Sequence, residues 1–341
     1  MIHILFFVFC LVNSHDSNRV HGIQHTLQEE DLELEREFQL INKSPLKSIH
    51  TKYGFIVDCI DIYKQPVFDH PLLKNHKLQR KPSFQNSFEK VTVKNSSTKF
   101  AFGLEKDECP RGTVPIRRIT KDNLIQSKLL FNDHVLSGSF PGVHVAEVYL
   151  ESLYGPYYKV TGTNSIYNPK IDRKDQLSFS YMWVRNGPID AANKISVGWH
   201  VAPRIYGDSV TYIFAAWTDP KTNNWWLNVD GANIGYFPSK LFSNMSSADE
   251  VGWGGRTITS ANTPSPPMGS AYFPDKNFVH ACYFRQVSFQ NESRQDYGPR
   301  ISQTRLRNDN SDCFGVDYYG NVGREFGYSL QFGGPGGKCD N

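Results

Sequence analysis

The stretch QLSFSYMWV, residues 176–184, decides the fold class of this chain. Large apolar side chains alternate with smaller ones at Leu177, Phe179, Tyr181 and Trp183, and a period of two is typical of a β-strand. Similar runs, separated by Gly, Pro and Asn residues that favour turns, fill the rest of the chain. Many short strands joined in this way predict a mainly β protein, an antiparallel sandwich or barrel.

A different pattern precedes these strands. Residues 26–41 carry apolar side chains at helical spacing, and Thr26 with Glu29 fits a capping box, so one amphipathic helix is expected. Residues 50–130 are polar and interrupted by prolines, with short extended runs such as Phe55–Ile62. We therefore predict a small α+β segment in front of the β domain.

Composition excludes several classes of protein. The 341 residues are 39% hydrophobic and 21% charged, which fits neither a disordered chain nor a membrane bundle. The net charge of +3 is too small to indicate a nucleic-acid partner, and no basic run stands out. After the N-terminus no apolar stretch approaches the ~20 residues that span a bilayer. We expect neither nucleic acid nor a membrane as a partner.

The N-terminus predicts secretion. Residues 1–14 combine a short apolar run with small residues, Val12 and Ser14, as in a signal peptide before its cleavage site. A buried N-terminal strand is the alternative. Cleavage would release a protein destined for the extracellular space or the vacuole. The Asn-x-Ser sequences then predict glycosylation at Asn42, Asn95, Asn244 and Asn291.

The cysteines agree with a secretory compartment. Of six, Cys10 would leave with the signal, so five remain and at least one thiol is free or paired between chains. Disulfides are the default in that compartment. No Cys-x-x-Cys pair occurs, which removes the usual zinc-ribbon and thioredoxin interpretations. We predict no metal and no cofactor.

No common catalytic motif is present. The chain lacks Gly-x-Ser-x-Gly, His-Glu-x-x-His and a phosphate-binding P-loop. Trp199, Trp217, Trp225, Trp226 and Trp253 could line a sugar or peptide groove, although core packing is the better interpretation for most of them. Because neighbours on a strand face opposite ways, we expect either Trp225 or Trp226 at a surface or groove.

Several strings together resemble one family of proteins. In the front segment they are NKSPLKSI (42–49), VDC (57–59), FDHPLLKNH (68–76) and CPRGTVPIRR (109–118). In the back segment they are GWHV (198–201), YGD (206–208), NWWL (224–227), IGYFP (234–238), WGG (253–255), MGS (268–270) and FGGPG (332–336). This set resembles the neprosin family, secreted plant proteins with an activation prodomain and a glutamic-peptidase domain.

The resemblance implies a domain plan and a ligand. Residues 15–135 would form the prodomain, and residues 136–341 a peptidase-like sandwich of two antiparallel sheets. Its groove would bind an extended peptide, and the well-studied members cleave after proline. A proline-containing peptide or protein is therefore the expected partner, and a cell-wall component is another. The candidates to line the groove are Trp199, Tyr206, Asp208, Trp225, Trp226 and Trp253.

The resemblance also suggests how the cysteines pair. Cys313 and Cys339 fit the family's C-terminal disulfide, and Cys59 would pair with Cys109. That assignment leaves Cys282 as the odd thiol.

The catalytic positions depart from the family. Family chemistry uses two glutamates, one to activate water and one to polarise the carbonyl or protonate the leaving group. The resemblance places these glutamates at Ser196 and Arg256 of this chain. A serine cannot hold the proton near neutral pH, and arginine is permanently cationic. We therefore expect catalysis to be impaired.

A second departure is a gap. Trp217-Thr218-Asp219 continues directly into Pro220, where by comparison with the family roughly 40 residues are missing, equivalent to two or more strands of ~5–6 residues. A family cysteine pair is lost with them. We expect the sheet to close differently or to expose an edge.

Three functions remain open. The first is a neprosin-family protein that has lost peptidase activity and keeps peptide or cell-wall binding, or has no selected role. The second is an active post-proline glutamic peptidase with carboxylates at other positions. The third is a carbohydrate-binding sandwich without catalysis, which the many aromatic residues permit.

Overall fold

The computed structural model describes residues 27–51, 56–83, 109–121, 124, 141–173, 175–188, 192–201, 212–218, 221–229 and 232–339. They fall into two compact units: the described residues 27–80 and 109–124 form a front unit, and those from residue 141 onwards, with residues 81–83, form a β domain. The predicted signal peptide, Asn95, Tyr206, Asp208 and the predicted boundary at residues 135–136 lie outside the described residues. Within the described part of the chain, no helix is both long and apolar enough to cross a membrane.

The front unit has the predicted small α+β composition. Helix α1 (Leu27–Ile41) confirms the helix expected over residues 26–41, while Thr26 of the proposed capping box is not described. A three-stranded antiparallel sheet follows, in the order β1-β2-β3. Its strands are β1 (Lys47–His50), β2 (Ile56–Asp61) and β3 (Thr113–Arg117).

Two cross-links join the family-like strings of the front unit. Cys59 and Cys109 form the expected disulfide. Arg118, just after β3, donates Nε and Nη2 to the two carboxylate oxygens of Asp58, each at 2.7 Å. Asn42 is also engaged, because its side-chain amide donates to the Ile119 carbonyl oxygen at 2.8 Å. The amide carries two N–H groups, of which this bond uses one, so glycosylation at Asn42 stays a prediction.

Thirteen strands are found in the described residues of the β domain. They are β4 (Val143–Leu150), β5 (Lys159–Asn164), β6 (Leu177–Asn186), β7 (Asn193–Val201), β8 (Tyr212–Thr218), β9 (Trp225–Val229), β10 (Ala232–Phe237), β11 (Glu250–Ile258), β12 (Cys282–Gln290), β13 (Asp296–Tyr297), β14 (Thr304–Asn308), β15 (Gly315–Asn321) and β16 (Tyr328–Gly333).

These strands form two antiparallel sheets. One has the order β10-β9-β8-β5-β12-β16-β15, with β13 beside β12, and the other has the order β14-β4-β11-β6-β7. Side chains from the five-stranded sheet reach the eight-stranded one, which we call the second sheet: the Trp253 indole donates to the Thr161 carbonyl oxygen at 3.0 Å, and that of Trp199 to the carbonyl oxygen of Ser165 at 2.9 Å. The predicted antiparallel β-sandwich is confirmed.

We call the side of the five-stranded sheet that meets the other sheet the packed face. Trp253 is 0% exposed there, and a Cβ atom at its neighbour Gly255 would lie 2.5 Å from the Phe332 ring. Ser180 is also on this face and donates to the Asn164 side chain at 2.9 Å. The small side chains of residues 176–184 therefore face the second sheet, because large aromatic rings from other strands fill that space.

The sheet is continuous where the gap was expected. Strand β8 pairs with β5 on one side and with β9 on the other, with Trp217 opposite both Lys159 and Trp226. Strands β8 and β9 are thus neighbours in the sheet, and no edge opens between them. The edge strands of the two sheets are instead β10, β15, β14 and β7. That residues are missing relative to the family stays a prediction.

The C-terminal cysteines pair as the resemblance suggested. Cys313 and Cys339 form a disulfide, and Cys282 is a buried free thiol. Burial raises the pKa of the Cys282 thiol to about 12, so it is protonated and unreactive at neutral pH.

Candidate functional site

Ser196 and Arg256 share one face of the five-stranded sheet. Directly paired residues lie on the same side of a sheet, as do residues two or four apart on a strand. Ser196 pairs with Trp183, and Arg256 pairs with Phe179, four residues along β6. Both therefore project from the side opposite the packed face. We call this side the charged face; its central residues are Glu147, Tyr181, Lys194, Ser196 and Arg256.

A buried carboxylate lies at the centre of the charged face. Glu147 on β4 is 0% exposed. It shares a row with Gly254 on β11, which in turn pairs with Tyr181 on β6. Because Gly254 has no side chain, the Tyr181 hydroxyl spans it and donates to Glu147. Arg307 on β14 donates Nη1 to the other carboxylate oxygen at 3.1 Å.

Three cations hold Glu147 in its ionised form. Burial acts to raise the pKa of Glu147, but Lys194, Arg256 and Arg307, together with the Tyr181 hydrogen bond, outweigh burial and lower it. Arg256 also lies over the Tyr181 ring, 5.9 Å from its centroid. The residue at the second expected glutamate position is therefore part of a charge network around a different carboxylate.

Lys194 completes this network from β7. Its Nζ lies 4.8 Å from the centroid of the Trp183 ring and 5.3 Å from that of Tyr181, within cation–π distance. Burial and the nearby Arg256 lower the pKa of Lys194 to about 7. Trp183 lies flat across β11, since a Cβ atom at Gly252 would approach its indole to 2.7 Å.

The remaining polar residues of the charged face offer no acid–base pair. Ser196 is exposed. Burial lowers the pKa of His200 to about 4, so this imidazole is neutral at neutral pH. Glu250, the other carboxylate on the strands of this face, pairs with Arg185. No group of three or more potential metal ligands is found in the described part of the chain.

The tryptophans predicted to line a groove lie in the core. Trp199 and Trp253 are 5% and 0% exposed and belong to the packed face. Trp225 and Trp226, on the other sheet, are 0% and 3% exposed, so the expectation that one of them is at a surface or groove is wrong. A strand inside a sandwich can bury both faces. This burial leaves these four tryptophans without access to a ligand, while the side chains of Trp217 and Tyr206 lie outside the described residues, so the carbohydrate-binding interpretation stays untested.

Sequence patterns and motifs do not identify Glu147, Lys194 or Tyr181 as site residues. One signal was available: Glu147 interrupts the otherwise apolar strand β4, VHVAEVYL. A carboxylate in such a strand is rarely buried without partners. Its partners come from distant parts of the chain, 34 residues away for Tyr181 and 160 for Arg307, and strand patterns do not reveal such pairs.

Comparison with known families identifies both segments. The family model described as Neprosin matches residues 174–221 and 216–335. The model described as Neprosin activation peptide matches residues 48–134. Together they cover most of the chain and both of its units. The chain belongs to the neprosin family, and the β domain is its peptidase-like part.

Solved structures with some similarity are glutamic peptidases. SCP-B, a member of the eqolisin family in a complex with the tripeptide Ala-Ile-His, shares 8% identity at a TM-score of 0.33, over 56% of this chain and 97% of its own. Scytalido-glutamic peptidase with a peptide-based transition-state analogue also shares 8% identity at a TM-score of 0.33, over 57% of this chain and 98% of its own.

Proposed function

We propose that this neprosin-family protein binds an extended, proline-containing peptide on the charged face and does not hydrolyse it. The observation that carries the proposal is the position of Ser196 and Arg256. They project from the same face of one sheet, with only β6 between their strands. They occupy the positions at which the family resemblance puts two glutamates. Neither side chain can exchange a proton as a carboxylate does.

The carboxylates that remain on this face do not replace the missing pair. A glutamic mechanism needs one carboxyl group whose pKa is raised, so that it can donate a proton to the leaving group. The pKa of Glu147 is lowered, and its two oxygens already accept hydrogen bonds from Tyr181 and Arg307. Glu250 forms its ion pair with Arg185. Among the described strand residues of this face there is no third carboxylate.

The alternative is an active glutamic peptidase that uses Glu147. The observation in its favour is position, because Glu147 lies on the charged face, two residues along the sheet from the row of Arg256. In this alternative Glu147 would be the general base. Its substitution by glutamine would then abolish cleavage.

Peptide cleavage tests the proposal. The full chain is secreted from a eukaryotic host, acidified and given a quenched fluorescent peptide that contains proline. The variants are Ser196→Glu/Arg256→Glu and the same pair with Glu147→Gln. The third change is needed because a carboxylate at position 256 would otherwise lie beside Glu147 and be repelled by it. Circular dichroism checks that each variant is folded.

We expect no cleavage by the natural chain and cleavage after proline by the triple variant. We also expect the natural chain to bind the peptide, as measured by fluorescence anisotropy. Cleavage by the natural chain would overturn the proposal. If a chain that carries only Glu147→Gln lost that cleavage, the alternative would be correct. A natural chain that neither binds nor cleaves would also overturn it.

Secretion is part of the proposal. The predicted signal peptide at residues 1–14 supports it, as do the two disulfides, which persist in oxidising compartments. Asn42, Asn291 and the exposed Asn244 are the candidates for glycosylation among the described residues. N-terminal sequencing of the secreted chain should begin after residue 14. Retention of residues 1–14 would contradict this part of the proposal.

A further inference from the structure

Strand β7 is an unusually regular edge strand. It runs beside β6 over all nine residues, Asn193–Val201, without a shift of register. Among the described residues, no backbone hydrogen bond other than those to β6 involves Asn193–Trp199. In an antiparallel ladder every second residue directs its N–H and C=O groups away from its partner. About half of β7 therefore presents unpaired donors and acceptors along its outer side.

The other three edge strands of the domain carry features that oppose further pairing. The pairing of β10 shifts register between Asn233 and Gly235, and that of β15 shifts between Tyr318 and Gly320. Strand β14 has only five residues and carries Arg305 and Arg307. Register irregularities, short length and charges are the means by which proteins protect sheet edges. In β7 the comparable features are Lys194 and, at the first residue, the hydrogen bonds of the Asn193 side chain to Ser243 and Asn244.

The charge around β7 indicates what such a strand would bind. Described strand residues of the charged face include five basic side chains and two carboxylates, and Glu151, directly after β4, pairs with Arg305. With Lys194 protonated, below about pH 7, these groups carry a net charge of +2. The cationic residues are Arg185, Lys194, Arg256, Arg305 and Arg307. A second copy paired through β7 would bring two such faces together, which like charges disfavour. A chain with acidic side chains on alternate residues would place them beside Lys194 instead.

We propose that the outer edge of β7 takes up an extended acidic peptide as a sixth strand of the five-stranded sheet. In this mode main-chain hydrogen bonds supply affinity, and alternate side chains supply specificity. The inference rests on the proposed function and refines it: the main chain of the peptide pairs with the edge of β7, and every second side chain of the peptide projects on the charged face. Exposed Ser196 would lie beside the peptide, on the same face as its acidic side chains.

The test uses backbone methylation of the ligand. The probe is a fluorescein-labelled nonapeptide with glutamate at alternate positions and one proline near its end. Two derivatives carry N-methyl groups on the odd-numbered or on the even-numbered residues. Because only alternate amides of an added strand face β7, we expect one derivative to bind at least tenfold more weakly and the other within about twofold of the parent.

Charge is tested separately. A matched peptide with lysine in place of glutamate should bind at least tenfold more weakly than the acidic one. Lys194→Met should weaken binding of the acidic peptide several-fold, and Lys240→Met, a substitution of an exposed lysine outside the charged face, should not. Hydrogen exchange of the full chain should show new protection in residues 193–201 when the acidic peptide is bound.

The outcomes separate this inference from the proposed function. Equal binding of both N-methylated derivatives, or equal binding of the lysine peptide, would overturn the inference while peptide binding itself stands. If the chain without peptide sediments as a dimer and residues 193–201 are already protected from hydrogen exchange, a second copy of the chain occupies the edge and the inference is overturned. Absence of binding by every peptide, whatever its charge, would overturn both.

Discussion

The two faces of the five-stranded sheet both carry buried side chains, but different forces hold them. On the packed face, Trp199 and Trp253 fit against the second sheet and each donates one hydrogen bond to its backbone. On the charged face, Glu147 is completely buried because cations and the Tyr181 hydroxyl surround it. The first face depends on shape and apolar area, and the second on charge balance. Substitutions on the two faces should therefore lower the stability of the domain with different dependence on salt and pH.

The largest expected effect belongs to the packed face. Trp253→Ala removes a fully buried indole and its bond to Thr161, and should lower the free energy of unfolding by about 3–5 kcal/mol. Urea denaturation followed by circular dichroism measures it. This loss should not depend on pH or salt, because no charge is involved. A loss that shrinks markedly in high salt would contradict the distinction between the faces.

A smaller loss is expected for the central carboxylate. Glu147→Gln leaves Lys194, Arg256 and Arg307 without their shared anion, and should destabilise the domain by about 3 kcal/mol. Exposed Glu292→Gln is the matched control and should stay within about 0.5 kcal/mol. In an Arg256→Gln background, Glu147→Gln should cost clearly less. Equal costs in both backgrounds would show that Arg256 and Glu147 are not coupled.

The ionisation of Lys194 should make the free energy of unfolding depend on pH. Its pKa is lowered to about 7 in the folded chain, so the unfolded chain binds its proton more tightly. The stability of the natural chain, relative to Lys194→Met, should therefore rise between about pH 7 and pH 10 and be flat below pH 7. Because Lys194 is partly exposed, we expect a change of about 1–2 kcal/mol. A difference that is constant over this range would contradict the lowered pKa.

The smallest effect is expected at Ser196. Its side chain is exposed and forms no hydrogen bond within the described residues, so Ser196→Ala should change the free energy of unfolding by less than about 0.5 kcal/mol. Urea denaturation measures this difference. A loss of more than about 1 kcal/mol would show that the hydroxyl group has a partner in the folded chain.

Local patterns in the sequence predicted the elements better than their orientation. Helix α1 and the strand over residues 176–184 were both predictable, because each depends on the spacing of apolar side chains within one segment. The alternation in 176–184 did not reveal which set faces the second sheet. Ser180 does so, and Trp183 lies on the charged face, because rings from distant strands already fill the space beside Gly255.

For the candidate site, too, part could be predicted from local sequence and part could not. Ser196 and Arg256 could be found through motifs, since each stands beside a Gly-Trp or Trp-Gly-Gly string. Their placement on a common face required the sheet order. Glu147 could not be connected with Arg256 from sequence, because its environment is assembled from four other strands. Charge balance around a buried group is a property of the three-dimensional arrangement.

The central claim is that this peptidase-like protein binds a peptide and leaves it whole. The most direct measurement is to incubate the natural chain with a proline-containing peptide at acidic pH, recover the bound fraction and determine its mass. We predict that the bound peptide is intact and that no fragments accumulate over many hours. Fragments ending in proline, produced by the natural chain and absent with Glu147→Gln, would contradict the account.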